Sequence, residues 1–90
     1  MSMDDQYFSM QNFRGLLIRF NEALRGSVVD LKSQHDTVSP HWQDQWRKEY
    51  DSIWTPFEDT MDRYVNVEGP NYEEFLNLKS EALRRYLFGN

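Results

Sequence analysis

Residues 40–65 read PHWQDQWRKEYDSIWTPFEDTMDRYV, and the spacing of the large apolar side chains in this stretch decides the fold class. Trp42, Trp46, Tyr50, Ile53, Phe57, Met61 and Tyr64 follow one another at steps of 4, 4, 3, 4, 4 and 3. The mean step of about 3.7 is close to the helical repeat, so these side chains form one stripe along a helix. All three tryptophans fall between positions 42 and 54. The stretch reads as the central helix of a small helical bundle.

Pro56 is the one obstacle inside it. A proline within a helix removes a hydrogen bond and crowds the preceding turn. Thr55-Pro56-Phe57-Glu58 also has the form of a capping box, with Thr55 as N-cap and Glu58 three residues on. Two helices, over 40–54 and 56–67, are one reading. The apolar stripe keeps its phase across the proline, which favours a single helix over 40–67 kinked at Pro56.

Upstream, Phe13, Leu17, Phe20, Leu24, Val28 and Leu31 step by 4, 3, 4, 4 and 3. Leu16, Ala23 and Phe8 widen the same face, so a helix from about Ser9 to Gln34 is expected with Ser9 as N-cap. Gly15 and Gly26 lie inside it and each costs roughly 1 kcal/mol relative to alanine. Close helix contact is one reason to keep them, and a bend at Gly26-Ser27 is another. His35-Asp36-Thr37-Val38 breaks the pattern. Ser39 then suits an N-cap and Pro40 the first helical position. A loop this short makes neighbouring helices antiparallel.

Downstream, Glu68-Gly69-Pro70 reads as a helix end with Gly69 at the C-cap and Pro70 as the stop. Asn71 would cap a third helix over 71–88, with Glu73 and Glu74 in its first turn and Arg84 and Arg85 in its last, as the helix dipole prefers. Its apolar positions are Tyr72, Phe75, Leu76, Ala82, Leu83, Tyr86 and Leu87. The expected fold is therefore all-α: one domain spanning residues 1–90, a three-helix up-down-up bundle built on a long helical hairpin. The third helix is too short to cover the groove between the first two, so apolar surface on the hairpin stays open.

Composition narrows the function. There is no cysteine, hence no thiolate nucleophile, thiolate metal site or disulfide. A net charge of −5 disfavours nucleic acid and anionic membrane as partners. The longest aliphatic run is Leu16-Leu17-Ile18, far too short to span a bilayer. The opening MSMDDQYFSM is acidic and has neither the basic nor the apolar region of a secretory signal peptide. A cytoplasmic protein is expected, or one exported without a cleaved signal.

Catalytic chemistry has little to work with. His35, Asp36, His41 and Asp44 match no trusted metal spacing. The adjacent carboxylates Asp4-Asp5, Glu58-Asp59 and Glu73-Glu74 point about 100° apart on a helix, so they do not face one substrate as acid and base. No glycine-rich phosphate loop or Ser–His–Asp arrangement is present. No catalytic residue, cofactor or metal is expected, and the chain reads as a non-enzyme. The aromatic stripe is the better candidate. Trp42, Trp46, Tyr50 and Trp54 cannot all point inward in so thin a domain, and aromatic residues are what binding hot spots are made of. These four are the expected interface residues.

Two long helices joined by a short turn carrying a tryptophan motif, in an acidic, cysteine-free chain of this length, resemble the WxG family of small helical-hairpin proteins. These are the ESAT-type substrates and partners of the type VII secretion machinery. The turn is Val38-Ser39-Pro40-His41-Trp42-Gln43-Asp44, so the motif reads W-x-D here. Tyr64-Val65-Asn66-Val67-Glu68 fits the Y-x-x-x-D/E export signal that the family carries after its second helix. The resemblance covers roughly residues 9–68. It implies a helical hairpin that pairs with a copy of itself or a sister protein and does non-enzymatic work as a secreted partner, chaperone or adaptor, with Trp42 marking the turn. The function expected is thus a small protein–protein interaction module, with a self or related helical partner and an oligomeric state. The alternative is an acidic regulator or inhibitor that binds a basic surface of an enzyme or nucleic-acid-binding protein.

Overall fold

Helix α1, Met3–Val38, starts where Ser2 can cap it: the Ser2 side chain accepts the Asp5 N–H at 3.1 Å, and Asp4 and Asp5 sit in the first turn. These features suit the positive end of a helix. They place the start six residues before the expected Ser9, which lies inside the helix. A computed structural model describes residues 2–89, and among these there is no strand.

At its far end α1 runs through His35–Val38, the segment expected to form the loop, and closes in a single 3₁₀ turn, Ser39–His41. Pro40 is tolerated there, at the start of a helical turn. The next helix therefore begins at Trp46 and not at Pro40. Asp44 does the capping: its carboxylate accepts the Trp46 N–H at 3.0 Å and its carbonyl the Arg47 N–H at 3.1 Å.

The second arm corrects the expected topology. Helix α2, Trp46–Arg63, passes through Pro56 without a break, and the kink expected there is not shown. It continues through a π turn, Tyr64–Glu68, directly into α3, Gly69–Phe88. Tyr64, Glu68 and Gly69 all have right-handed helical backbone angles. The protein is a two-helix hairpin and not a three-helix bundle. Gly69-Pro70 ends nothing, because the π turn changes the hydrogen-bonding partner. The Gly69 N–H reaches back five residues to the Tyr64 carbonyl. In that register residue 70 would donate to Val65, and Pro70 cannot. The Arg25 guanidinium of α1 donates to the Val65 carbonyl in its place, at 3.2 Å. Gly89, at φ 68°, ends α3 in the left-handed conformation that favours glycine.

The three segments of the second arm have 18, 5 and 20 residues. At about 1.5 Å per residue that is roughly 64 Å, and the molecule measures 64 × 22 × 18 Å. Its radius of gyration of 19.6 Å exceeds the roughly 12 Å of a compact chain of this length.

Burial follows from this shape. Only Val28, Leu76 and Leu83 are buried among the apolar side chains of the described residues, joined by Gly69, Asn21 and Ser80. Gly69, Leu76, Ser80 and Leu83 form one stripe of α3, where the backbones of α1 and α3 run closest. On α1 the inward line is Tyr7, Arg14, Asn21, Val28 and His35, one residue in seven. Of the apolar stripe Phe13, Leu17, Phe20, Leu24, Val28 and Leu31, this line contains only Val28. Phe13, Phe20 and Leu31 from that stripe are exposed, as are Leu16 and Phe8. A single partner helix covers only one narrow line of α1, and that line is set by the polar contacts described below.

Candidate protein-interaction surface

Three sites are built along the hairpin. The first is at the turn. His35 of α1 stacks on Trp54, with ring centroids 4.2 Å apart and planes within 8°, and its Nδ1 lies 2.6 Å from the Tyr50 hydroxyl. Tyr50 in turn meets Trp42 at 4.5 Å, and Phe57 meets Trp54 edge-on at 5.8 Å. These rings hold α1 and α2 together while keeping the backbones apart. Arg47 closes the turn from the other side: it donates to the Ser39 carbonyl and hydroxyl and to the Trp42 carbonyl, and pairs with Asp51 at 2.9 Å. The Trp42 indole N–H donates to the same Asp44 carboxylate that caps α2, at 2.9 Å. The aspartate of the W-x-D motif thus ties the tryptophan to the start of the second arm.

The second site is a polar lock at mid-length. The Asn21 carbonyl oxygen accepts the Tyr64 hydroxyl at 2.7 Å, and its amide donates to Glu73 at 2.8 Å and to the Gly69 carbonyl at 3.4 Å. Gly69 is required here by close approach: a Cβ on it would lie 3.0 Å from the Tyr64 carbonyl and 3.3 Å from the Asn21 amide. Tyr64-Val65-Asn66-Val67-Glu68, the stretch that fits the export pattern, is the π turn in the middle of the second arm and not a segment beyond its end. Toward the turn, Lys32 and Asp62 pair at 2.6 Å, and this hydrogen bond holds the Lys32 ammonium above its ordinary range.

The third site is an open apolar face. A groove of about 710 Å³ is lined by Phe13 and Leu17 of α1 and by Tyr64, Tyr72, Phe75 and Leu76 of the second arm, with Asn71 at its edge. A shallower groove of about 230 Å³ lies near the turn, lined by Trp42, Trp46, Glu49, Tyr50 and Ile53. The two belong to one face. On α1, Phe13, Phe20 and Leu31 are displaced about 100° from the line of contact, and Trp46, Ile53 and Phe75 are displaced in the same sense on the second arm. In antiparallel helices such residues share one broad side. Ile53 is 68% exposed, Phe75 67% and Phe20 57%.

The four expected interface residues divide between these sites. Tyr50 and Trp54 are half-buried in the stack on His35, Trp42 is half-buried beside them, and Trp46 is 58% exposed on the apolar face. Phe13, Phe20, Tyr72 and Phe75, which the sequence places on the apolar faces of their helices but not among the expected interface residues, lie on the open face. The spacing that could have flagged it is in α1. Met10, Leu17, Leu24, Leu31 and Val38 recur every seven residues, as do Phe13, Phe20, Ser27 and Gln34. That is two seams where one packed neighbour needs one. Gly15 and Gly26 fall on the opposite, polar side. A Cβ at Gly26 would meet nothing, so close helix contact does not explain it.

His35 is engaged by Tyr50 and Trp54, and among the described residues no three His, Asp or Glu side chains converge as metal ligands. No helix among them is long and apolar enough to cross a membrane. The chain matches no protein-family model, no curated protein and no solved structure.

Proposed function

We propose that the protein is a non-enzymatic interaction module whose working surface is the apolar face of the hairpin. One observation carries this reading: Phe13 and Phe20 of α1 and Trp46, Ile53, Tyr72 and Phe75 of the second arm lie on one open side, while polar contacts, the stack on His35 and a thin apolar core hold the arms to each other. Monomeric proteins rarely expose a contiguous apolar patch of more than a few hundred Å². Five exposed rings on this face, Phe13, Phe20, Trp46, Tyr72 and Phe75, at about 150–250 Å² each when whole, expose roughly 600 Å² on their own. Trp46 and Tyr50 contribute at the turn end, where they line the shallower groove. Trp42 and Trp54 act behind them, holding the turn. An adaptor, a chaperone-like partner or a secretion-associated hairpin of the WxG kind all fit such a surface.

The test is capture from native lysate with wild type and with a Phe13→Glu, Phe75→Glu variant, whose exposed positions leave the hairpin intact. Loss of the same bound proteins, with unchanged helical circular dichroism, is expected. Identical bound sets would refute the reading.

A second reading rests on charge. Residues 22–68 carry ten Asp and Glu against five Lys and Arg. As an acidic regulator the protein would use this half against a basic surface, and its binding would weaken steeply with salt. Binding through the apolar face would be nearly indifferent to salt.

A further inference from the structure

We propose that the shallow groove beside the turn binds a methylated ammonium group, the cation of a quaternary amine or of a methylated lysine. The site goes beyond the apolar-face reading above and does not depend on it.

The groove begins with helical spacing. Trp46, Glu49, Tyr50 and Ile53 lie at i, i+3, i+4 and i+7 of α2, so they share one flank of the helix. Trp42 joins them from the turn. Its indole N–H is held by the Asp44 carboxylate at 2.9 Å, and its ring meets that of Tyr50 at 4.5 Å with the planes 40° apart. Two tryptophans, a tyrosine and a carboxylate thus line one recess of about 230 Å³, with Ile53 as the single aliphatic side chain. Pockets for drug-sized ligands run from about 300 to 1,000 Å³, so this one suits a group of a few heavy atoms.

The lining selects a cation. An aromatic ring presents a negative face, and a carboxylate beside three rings adds a full charge of the same sign. Glu49 is exposed, and its carboxylate takes part in none of the ion pairs among the described residues. The two cations closest to it in sequence are engaged or turned away. Arg47 donates to Ser39 and the Trp42 carbonyl and pairs with Asp51. Lys48 is two residues from Trp46, about 200° round the helix. The wider field agrees. Residues 22–68 hold ten acidic and five basic residues, which accounts for all of the net −5 and draws cations to this end.

Hydrogen bonding then selects a methylated cation. The Trp42 indole N–H is committed to Asp44 and the Tyr50 hydroxyl to His35. Among the lining side chains, Glu49 is left as the only acceptor. A lysine ammonium brings three donors and a tightly held hydration shell, and an arginine brings five donors in a rigid fork. Ring faces satisfy few of these. A trimethylated ammonium has no donor to satisfy: its methyl groups pack on the rings and its charge faces the carboxylate, as in aromatic cages. The same local charge disfavours a ligand that carries an anion next to its ammonium, such as a choline lipid headgroup.

Indole N–H resonances of the full chain test the site, because Trp42 and Trp46 line it and Trp54 does not. Choline, titrated at constant ionic strength, should shift the Trp42 and Trp46 signals saturably, with a dissociation constant on the order of 10 mM for so small a ligand. The uncharged analogue with a tert-butyl group in place of the trimethylammonium should bind about tenfold more weakly or worse, and ammonium chloride should leave the signals in place. Trp46→Ala should weaken choline binding about tenfold and Glu49→Gln about threefold. Both side chains are exposed, so helical circular dichroism should not change. A short peptide carrying trimethyl-lysine identifies the carrier. Tighter binding than choline assigns the site to a modified protein partner, equal or weaker binding to a free small cation, and either supports the site. Equal shifts from choline and its analogue, or choline shifts that survive Trp46→Ala, overturn it. So does the absence of saturation by both choline and the methylated peptide. Phe13→Glu, Phe75→Glu lies outside the groove and should leave choline binding unchanged, so lysate capture by that variant and choline binding by Trp46→Ala decide the two readings separately.

Discussion

Asn21→Ala tests whether the polar lock, and not the apolar core, sets the register of the hairpin. Asn21 is buried and makes three hydrogen bonds to the second arm. The bond to the Glu73 carboxylate is charge-assisted and worth about 1.5–3 kcal/mol, and the one from the Tyr64 hydroxyl about 1 kcal/mol. The contact to the Gly69 carbonyl at 3.4 Å is long and adds little. Tyr64 and Glu73 are half-buried and regain water when Asn21 is removed. The net loss expected is about 2–3 kcal/mol. With a urea slope of roughly 1 kcal/mol per molar, the midpoint followed by helical circular dichroism at fixed protein concentration should fall by about 2 M. Asn21→Asp sharpens the test. It sets a second carboxylate against Glu73, and like charges at contact raise the pKa of the pair in the folded state. The folded variant then binds more protons than the unfolded chain, so it loses stability as pH rises through the carboxylate range. A midpoint within about 0.5 M of wild type for the alanine variant, together with a wild-type pH slope for the aspartate variant, would refute the lock.

The two interior glycines should respond in opposite directions to alanine. Gly69→Ala forces a Cβ against the Tyr64 carbonyl and the Asn21 amide and should cost about 1–3 kcal/mol in a urea melt, whereas Gly26→Ala meets nothing and should gain about 1 kcal/mol. Ser80→Ala removes a hydroxyl that is buried without a hydrogen-bond partner, so a stability gain of about 1 kcal/mol is expected from the same assay. Glu81 is held below the ordinary carboxylate range by the hydrogen bond from Arg84. Its contribution is present above its unfolded pKa and fades as pH falls through the folded one, so Glu81→Gln should flatten the acid side of the stability profile.

The helices were legible in the sequence because their period is carried by large side chains. The junctions were not. Gly69-Pro70 has the composition of a helix end, and local chemistry gives no sign that Arg25, on the other arm, will take over the carbonyl that the proline leaves free. Ser39-Pro40 likewise suits a helix start, but one 3₁₀ turn satisfies both residues. The start of the second arm is decided instead by Asp44, where the Trp42 indole and the Trp46 N–H meet on one carboxylate. The open face was half legible. Exposed apolar surface on the hairpin follows from the sequence, but the concentration of tryptophans points to residues 42–54 and away from Phe13, Phe20 and Phe75, which carry it.

That misassignment has a physical cause that bears on function. Reading for a core assumes that the most apolar stripe of a helix faces its nearest neighbour in the same chain. Here the line between the arms carries Asn21, Lys32 and His35, each paired or stacked at a specific position, and Arg14, whose Nε is buried without a partner. Polar contacts of this kind tolerate one register only, whereas apolar stripes slide at little cost. Putting them between the arms fixes the hairpin as a unit, and the apolar side chains are left free to form the face. The consequence is a thin core, with Leu83 the most buried apolar side chain at 4%. A hairpin built this way is specified by its internal contacts and completed by what covers its face, so its stability should rise with the concentration of whatever binds there.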